Sequence, residues 1–333
     1  MQDIITLDYG SGGLKTAQLI DQILVPAFAN TALSQLGDGA VLPALPGPPV
    51  FSTDSFVVSP WHFPGGDIGK LAVCGTVNDL CMAGGAPLYL SFSLILEEGF
   101  ALDDLRAVVA SAAQTARAAG VQIVTGDTKV VERGRGDGIY INTAGVGVLR
   151  APGLGRGALR DGDAVLVSGS VGCHGAAVLM ARGDLPCEGA LVSDCRPLHD
   201  IAAAALAAGG VRMLRDPTRG GVATTLNEFV EGGPLGIELE EDAIPVDGPV
   251  AAACGLLGLD PLYAACEGRM LAVCAPETAD AVLAALRATP GGEGAARIGR
   301  LTAARPGQVV LRNSFGGSRI LGKLTGAQLP RIC

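Results

Sequence analysis

Behind a polar lead, Gly10-Ser11-Gly12-Gly13 opens onto LKTAQLIDQILVPAF, in which Leu19, Ile20, Ile23 and Leu24 recur at helical spacing. A glycine loop therefore feeds a helix. Residues 50–58 alternate as a strand does and carry Thr53-Asp54-Ser55. Residues 68–83 read as a helix interrupted by the polar pair Asn78 and Asp79 and ended at Gly84-Gly85, with a β-like run at 88–96. The stretch 101–120 is an amphipathic helix stopped by Gly120. Two β-rich runs, 121–131 and 139–149, flank the polar stretch 132–138 and are expected to pair antiparallel.

The second half repeats the mixture after 150–162, a Gly/Pro-rich segment that reads as a linker. Strands are expected at 165–168 and 269–275, and helices at 175–182, 197–209, 220–231 and 276–288. Residues 313–333 have no period and read as a Gly-punctuated, flexible tail. The expected organisation is a domain at 1–150, a second α/β domain at 151–312 and the tail at 313–333, an α+β protein of two α/β domains.

Composition narrows the function classes. A chain of 333 residues suits two domains of roughly 100–200 residues each. Apolar residues make up 49%, much of it Ala, and aromatics only 4%, which favours close packing of helix on sheet. The net charge of −9, with no Lys/Arg block, excludes electrostatic capture of nucleic acid or an anionic membrane. The acidic N-terminus lacks a signal-peptide pattern, and no apolar run approaches the roughly 20 residues of a membrane span. Nine cysteines without regular spacing, and no zinc-type pairs, read as reduced thiols in the cytoplasm.

Five carboxylates sit in short polar breaks beside apolar structure: Asp38, Asp54, Asp79, Asp127 and Asp216. Hard oxygen ligands of this kind suit Mg²⁺, which bridges carboxylates to phosphates, although each alone also fits a turn or a helix cap. The loop of Gly10, Ser11, Gly12 and Gly13 is either a phosphate cradle or a tight turn. Lys129 in GDTK could neutralise a transferring phosphate or be an exposed strand-end lysine. Glu267 lies in the apolar Ala265-Cys266-Glu267-Gly268 and is either a base with a raised pKa or half of a buried ion pair with Arg269. Cys173-His174 favours a structural reading. Cys333 is either an incidental terminal cysteine or an accessible thiol on a long tail, where Arg331 could favour thiolate and the terminal carboxylate opposes it.

Taken together, GSGG at 10–13, GDGAVL at 37–42, STDSFVV at 52–58, VNDLCMAGG at 77–85, GDTKVV at 126–131, DPTRGGVATTLNE at 216–228, ACEGR at 265–269 and the final PRIC resemble the HypE family. These are the carbamoyl dehydratases of nickel–iron hydrogenase maturation, and the match runs almost the whole chain. The resemblance implies a fold similar to aminoimidazole ribonucleotide synthetase, dimerising through N-terminal sheets, with ATP between the domains. It implies that a carbamoyltransferase loads Cys333 with a carbamoyl group and that ATP and Mg²⁺ drive its dehydration to a thiocyanate. Glu267 and Lys129 fall on the family's catalytic positions, and the five Asp residues on those that hold nucleotide and metal. The cyanide then passes to iron on a scaffold complex. Selenophosphate synthetase would need Cys or selenocysteine in the glycine loop, and thiamine-monophosphate kinase gives no reason for PRIC. A carrier that only presents Cys333 is the alternative from another class.

Overall fold

The computed structural model describes residues 3–183, 191–324, 326 and 331–333; Cys187 and Pro330 lie outside the described residues. The first half contains α1 (Leu14–Leu19), a π-helical stretch Ile20–Leu24, α2 (Val25–Phe28), β1 (Pro49–Phe56), β2 (His62–Phe63) and β3 (Gly66–Asp67). It continues through α3 (Ile68–Met82), β4 (Gly85–Glu97), α4 (Leu102–Ala118), β5 (Gln122–Val131) and β6 (Ile139–Leu149). The second half contains β7 (Ala164–Val167), α5 (Cys173–Ala181), α6 (His199–Ala208), β8 (Val211–Arg215), α7 (Gly221–Val230), β9 (Gly236–Glu240) and α8 (Gly248–Leu257). It ends with β10 (Leu271–Cys274), α9 (Ala279–Ala288), β11 (Ala296–Thr302), β12 (Val309–Arg312) and β13 (Ser318–Ile320).

The strand order of the first sheet is β1-β6-β4-β5. The expected antiparallel pairing of β5 with β6 is therefore wrong, because β4 lies between them. It runs parallel to β5 and antiparallel to β6. The long helix α4 explains this: a crossover of that length returns the chain beside its preceding strand in parallel, which a short hairpin cannot do. Gly120, at φ +68°, ends the turn after α4 as expected, its N–H donating to the Arg117 carbonyl at 3.1 Å.

Alternation along β1 divides the sheet into two faces. Ser52, Asp54 and Phe56 lie on the side of α3, while Phe51, Thr53 and Ser55 lie on the side left open, Phe51 being 67% exposed. Across the sheet, Asp54 pairs with Thr143, whose hydroxyl faces Thr76 and the Ala72 carbonyl of α3. On β5, Asp127 and Lys129 stand in register with Ser93 and Ile95 on the open side.

α3 runs unbroken through Asn78 and Asp79, where an interruption was expected. Its N-terminus is capped by Asp67, which accepts from Gly69 and Lys70 at 2.7 and 3.0 Å. Nearly every side of α3 is buried, because it packs on β1, β4 and β6 and also on α6 and β8 of the second half. The polar pair survives because it faces that second half. The Asn78 amide accepts from Leu198 N at 2.8 Å and donates to the Arg196 and Glu267 carbonyls at 3.2 and 3.4 Å.

The second sheet, β13-β12-β9-β11-β7-β10-β8, contains five strands absent from the sequence reading: β8, β9, β11, β12 and β13. Helix α8 was likewise not foreseen. Residues 318–320 of the expected tail add β13 at its edge, pairing with β12.

Candidate active site

A cleft of about 500 Å³ opens between the two halves, lined on one side by Ser52, Asp54, Gly75 and Asp79 and on the other by Asp216, Arg219, Glu267 and Cys333. Each carboxylate is placed by ordinary backbone logic. Asp54 projects from β1 toward α3 and accepts from Ser55 N at 2.8 Å. Asp79 projects from α3 and accepts from the Ser52 hydroxyl at 2.7 Å. Asp216 follows β8 directly. Glu267 is held in the segment just before β10, its carbonyl accepting from the Asn78 amide of α3, with Cys266 N donating to Pro217 O at 3.0 Å. Gly268 has no room for a side chain, since a Cβ there would stand 1.7 Å from the Asp194 carbonyl oxygen.

Charge accumulates in this cleft. Burial raises the Asp79 pKa, and the neighbouring Asp54 adds to it while the Ser52 hydroxyl opposes. Burial, then Asp79, lifts Asp216 to about 7. Glu267, 2% exposed, is pushed well above the usual carboxylate range by burial and then by Cys195 and three Asp neighbours. Its Oε1 has no hydrogen-bond partner. The ion-pair reading of Glu267 is not what the structure shows, because Arg269 turns to Asp194 at 3.6 Å and to the Ser170 and Gly291 carbonyls.

Cys333 is docked in the same cleft. Val57 N donates to its carbonyl at 3.1 Å, and Ser59 N to the Arg331 carbonyl at 3.2 Å, so the end of the tail lies antiparallel to the segment after β1. Burial, followed by Glu267, drives the thiol up to about 12, with Arg219 opposing. The expectation that Arg331 favours thiolate fails: its guanidinium pairs with Asp137, donates to the Val57 carbonyl and lies over the Tyr140 ring. All eight described cysteines are free.

The other expected site residues gather elsewhere. Lys129 pairs with Asp127 at 2.7 Å, both exposed. Thr16, Gly37, Gly39 and Asp127 line a second cavity of about 420 Å³ under β5, and Asp38 is exposed in the loop between those glycines. The glycine loop lies against β5, where a Cβ on Gly10 would meet Val130 N at 2.6 Å. Gly12, at φ +79°, already gives its N–H to the Thr16 hydroxyl at 3.0 Å, while the Ser11 hydroxyl donates to Asp8 O. Gly13 is the N-cap of α1. Lys15 sits over Tyr9. The five Asp residues thus form two groups, and β1 and β5 are opposite edges of one sheet, three strand spacings or roughly 14 Å apart.

Among the described residues no three His, Cys, Asp or Glu side chains stand close enough to enclose a metal ion by themselves. Asp54, Asp79 and Asp216 instead fit a hard cation that keeps water and shares phosphate oxygens, and such a cation would relieve their mutual repulsion.

Residues 37–149 match the family described as AIR synthase related protein, N-terminal domain, and residues 160–312 its C-terminal domain. The chain is 52% identical to the carbamoyl dehydratase HypE of Bradyrhizobium diazoefficiens over 333 residues, 99% of this chain and 96% of that one. The chain belongs to the HypE family. Solved HypE structures agree: one of hydrogenase maturation protein HypE in complex with ATP superposes with a TM-score of 0.94 at 48% identity, covering 98% of this chain and 99% of that one. Another, of a HypE–HypF complex, gives 0.80 at 41% identity over 92% and 99%. The HypE fold is thus the two-domain α/β architecture expected from the motifs. No helix among the described residues is long and apolar enough to cross a membrane.

His174, read from the sequence as structural, has a partner that the sequence did not disclose. It is wholly buried in the first turn of α5, its Nδ1 2.8 Å from the Ser193 hydroxyl and its Nε2 2.7 Å from the Ile332 carbonyl. The available signal was its setting in VGCHGAAV, a run with no other polar side chain except the neighbouring thiol.

Proposed function

We propose that this chain dehydrates a carbamoyl group carried on Cys333, using ATP, and leaves a thiocyanate whose cyanide goes to the iron of a nickel–iron hydrogenase. The observation that supports it most is the docking of Cys333 into one cleft with Glu267 and three carboxylates. The solved relative in complex with ATP supports the nucleotide. In balance, the carboxamide oxygen takes the terminal phosphoryl group of ATP and leaves as phosphate. Both amide protons are lost, and the carbon–nitrogen bond becomes triple. Phosphorylation turns a poor leaving group into a good one, and Glu267, with one oxygen unpartnered, receives a proton. Mg²⁺ bound by Asp54, Asp79 and Asp216 would offset the phosphate charge.

Lys129 and Asp127 cannot join this cleft in the same chain, since they occupy the opposite edge and the opposite face of the first sheet. We assign them to the site of a second copy, in a homodimer formed through the open face that carries Phe51, Thr53, Ile95, Asp127 and Lys129. The glycine loop, with Gly10 against β5, and Asp38 would then meet the nucleotide from the partner's side. The same proposal divides the chain into domains at 1–150 and 151–312 and a tail at 313–333, of which 318–320 join the second sheet as β13. A carbamoyltransferase is the donor, in line with the relative solved with HypF, and an iron-bearing scaffold complex is the acceptor.

Mass spectrometry tests the reaction. Incubation with the carbamoyltransferase and carbamoyl phosphate should add a carbamoyl group to Cys333, and Mg-ATP should then remove one water; a Cys333 never loaded by a competent partner refutes the assignment. A mixing experiment tests the shared site. Lys129→Ala and Glu267→Gln should each be inactive alone, yet co-refolded together recover about a quarter of wild-type turnover. Random pairing makes half of the dimers mixed, each with one intact site of two. No recovery places both residues in one chain's site.

A further inference from the structure

The tail end is gripped by its backbone. Arg331 O accepts from Ser59 N and, at 2.7 Å, from the Arg182 guanidinium; Ile332 O faces His174 Nε2 at 2.7 Å; Cys333 O accepts from Val57 N. Each of the last three carbonyls is therefore satisfied by a protein donor. Two of those donors come from one helix, since His174 stands in the first turn of α5 and Arg182 directly follows its last residue. The Ile332 side chain is 4% exposed in the core.

We propose that His174 and Arg182 are positioning residues that clamp the tail in its docked state through its backbone carbonyls, and so hold Cys333 in the cleft whatever group its sulfur carries. A carbonyl only accepts, so Nε2 of His174 bears the proton and Nδ1 accepts from the Ser193 hydroxyl. Ser193 Oγ in turn accepts from Cys195 N at 3.0 Å, and Ser193 N donates to Pro64 O at 2.8 Å. The Phe63 ring meets the imidazole edge-on at 5.2 Å, closing the pocket around it. Burial holds the His174 pKa down at about 4, so the neutral ring this pattern needs is the one present near neutrality. No member of the clamp touches Sγ. A thiol, a carbamoyl thioester and a thiocyanate are gripped alike, and the choice between docked and released states falls to the fit of the sulfur's substituent in the cleft.

The inference rests on the proposed reaction for its meaning but not for its test. In the full-length chain, His174→Ala should raise the rate at which iodoacetamide alkylates Cys333 at pH 8 by about tenfold or more, as expected for one buried hydrogen bond lost. The ATP-dependent loss of water from carbamoyl-Cys333 should slow by a similar factor, while loading by the carbamoyltransferase is retained. His174→Gln, which keeps an N–H donor, should restore part of both. Should His174→Ala fail to fold, Arg182→Ala at the solvent side of the same clamp should give the same rise in alkylation. Wild-type alkylation rates in the folded variants overturn the clamp. Faster alkylation in the variants combined with a wild type that never loses water supports the clamp and removes the proposed reaction instead.

Discussion

Replacing Glu267 by Gln should slow dehydration of carbamoyl-Cys333 by about 10²–10⁴-fold, the usual contribution of a positioned acid–base group, with nucleotide binding kept within a few-fold. Gln fills the same volume and cannot take the proton. Because the carboxyl is buried with Oε1 unpartnered and its pKa is driven up by burial, a neutral amide should leave thermal stability unchanged or raise it. Loss of rate without loss of stability separates chemistry from folding. Single-turnover mass analysis and a melting curve read the two quantities. Turnover within tenfold of wild type would remove Glu267 from the proton transfer.

The second large effect concerns the thiol. Docking raises Cys333 from an ordinary 9.0 to about 12, so a docked sulfur has about a thousandfold less thiolate at pH 8 than a free one. The sign follows directly. A pKa raised by docking means that docking is at full strength below about 9 and weakens as pH climbs from there toward about 12, by roughly tenfold per unit. Alkylation of the native chain should therefore be strongly suppressed at pH 8 relative to the unfolded chain, and the protection should begin to fall above pH 9. A rate at pH 8 equal to that in denaturant would show that the tail does not rest in the cleft. On the proposed reaction, carbamoyl transfer needs a nucleophilic sulfur, so loading would belong to the released state and dehydration to the docked one.

The sequence exposed the chemistry more fully than the geometry. Asp54, Asp79, Asp216 and Glu267 were recognisable one by one because polar breaks in apolar runs are local signals, and Cys333 through the terminal PRIC of the family resemblance. Their convergence on a single cleft is a tertiary fact. That Asp38 and Asp127 stand apart from them within one chain was hidden for the same reason, since residue type does not reveal on which edge or face of a sheet a side chain will stand. The β5–β6 pairing was misjudged because two adjacent runs resemble a hairpin, and only the insertion of β4 shows otherwise. The strand β9 was hidden because its alternation spans only the five residues Gly236–Glu240, although Glu238 is buried. That carboxylate is satisfied by Arg300 and Arg312 on neighbouring strands, partners far away in the sequence. His174 was read as structural, but its hold on the tail was not foreseen because its partner is a backbone carbonyl, which leaves no trace in residue identity.

The open face of the first sheet carries a consequence for how activity should scale. If Lys129 serves only the cleft of another copy, a lone chain holds half of two sites and a complete set of neither. Turnover per molecule would then depend on protein concentration, falling off on dilution as copies separate and becoming constant once they are paired. The amount of chain in the cell would set not only how many catalysts exist but what fraction of them is assembled.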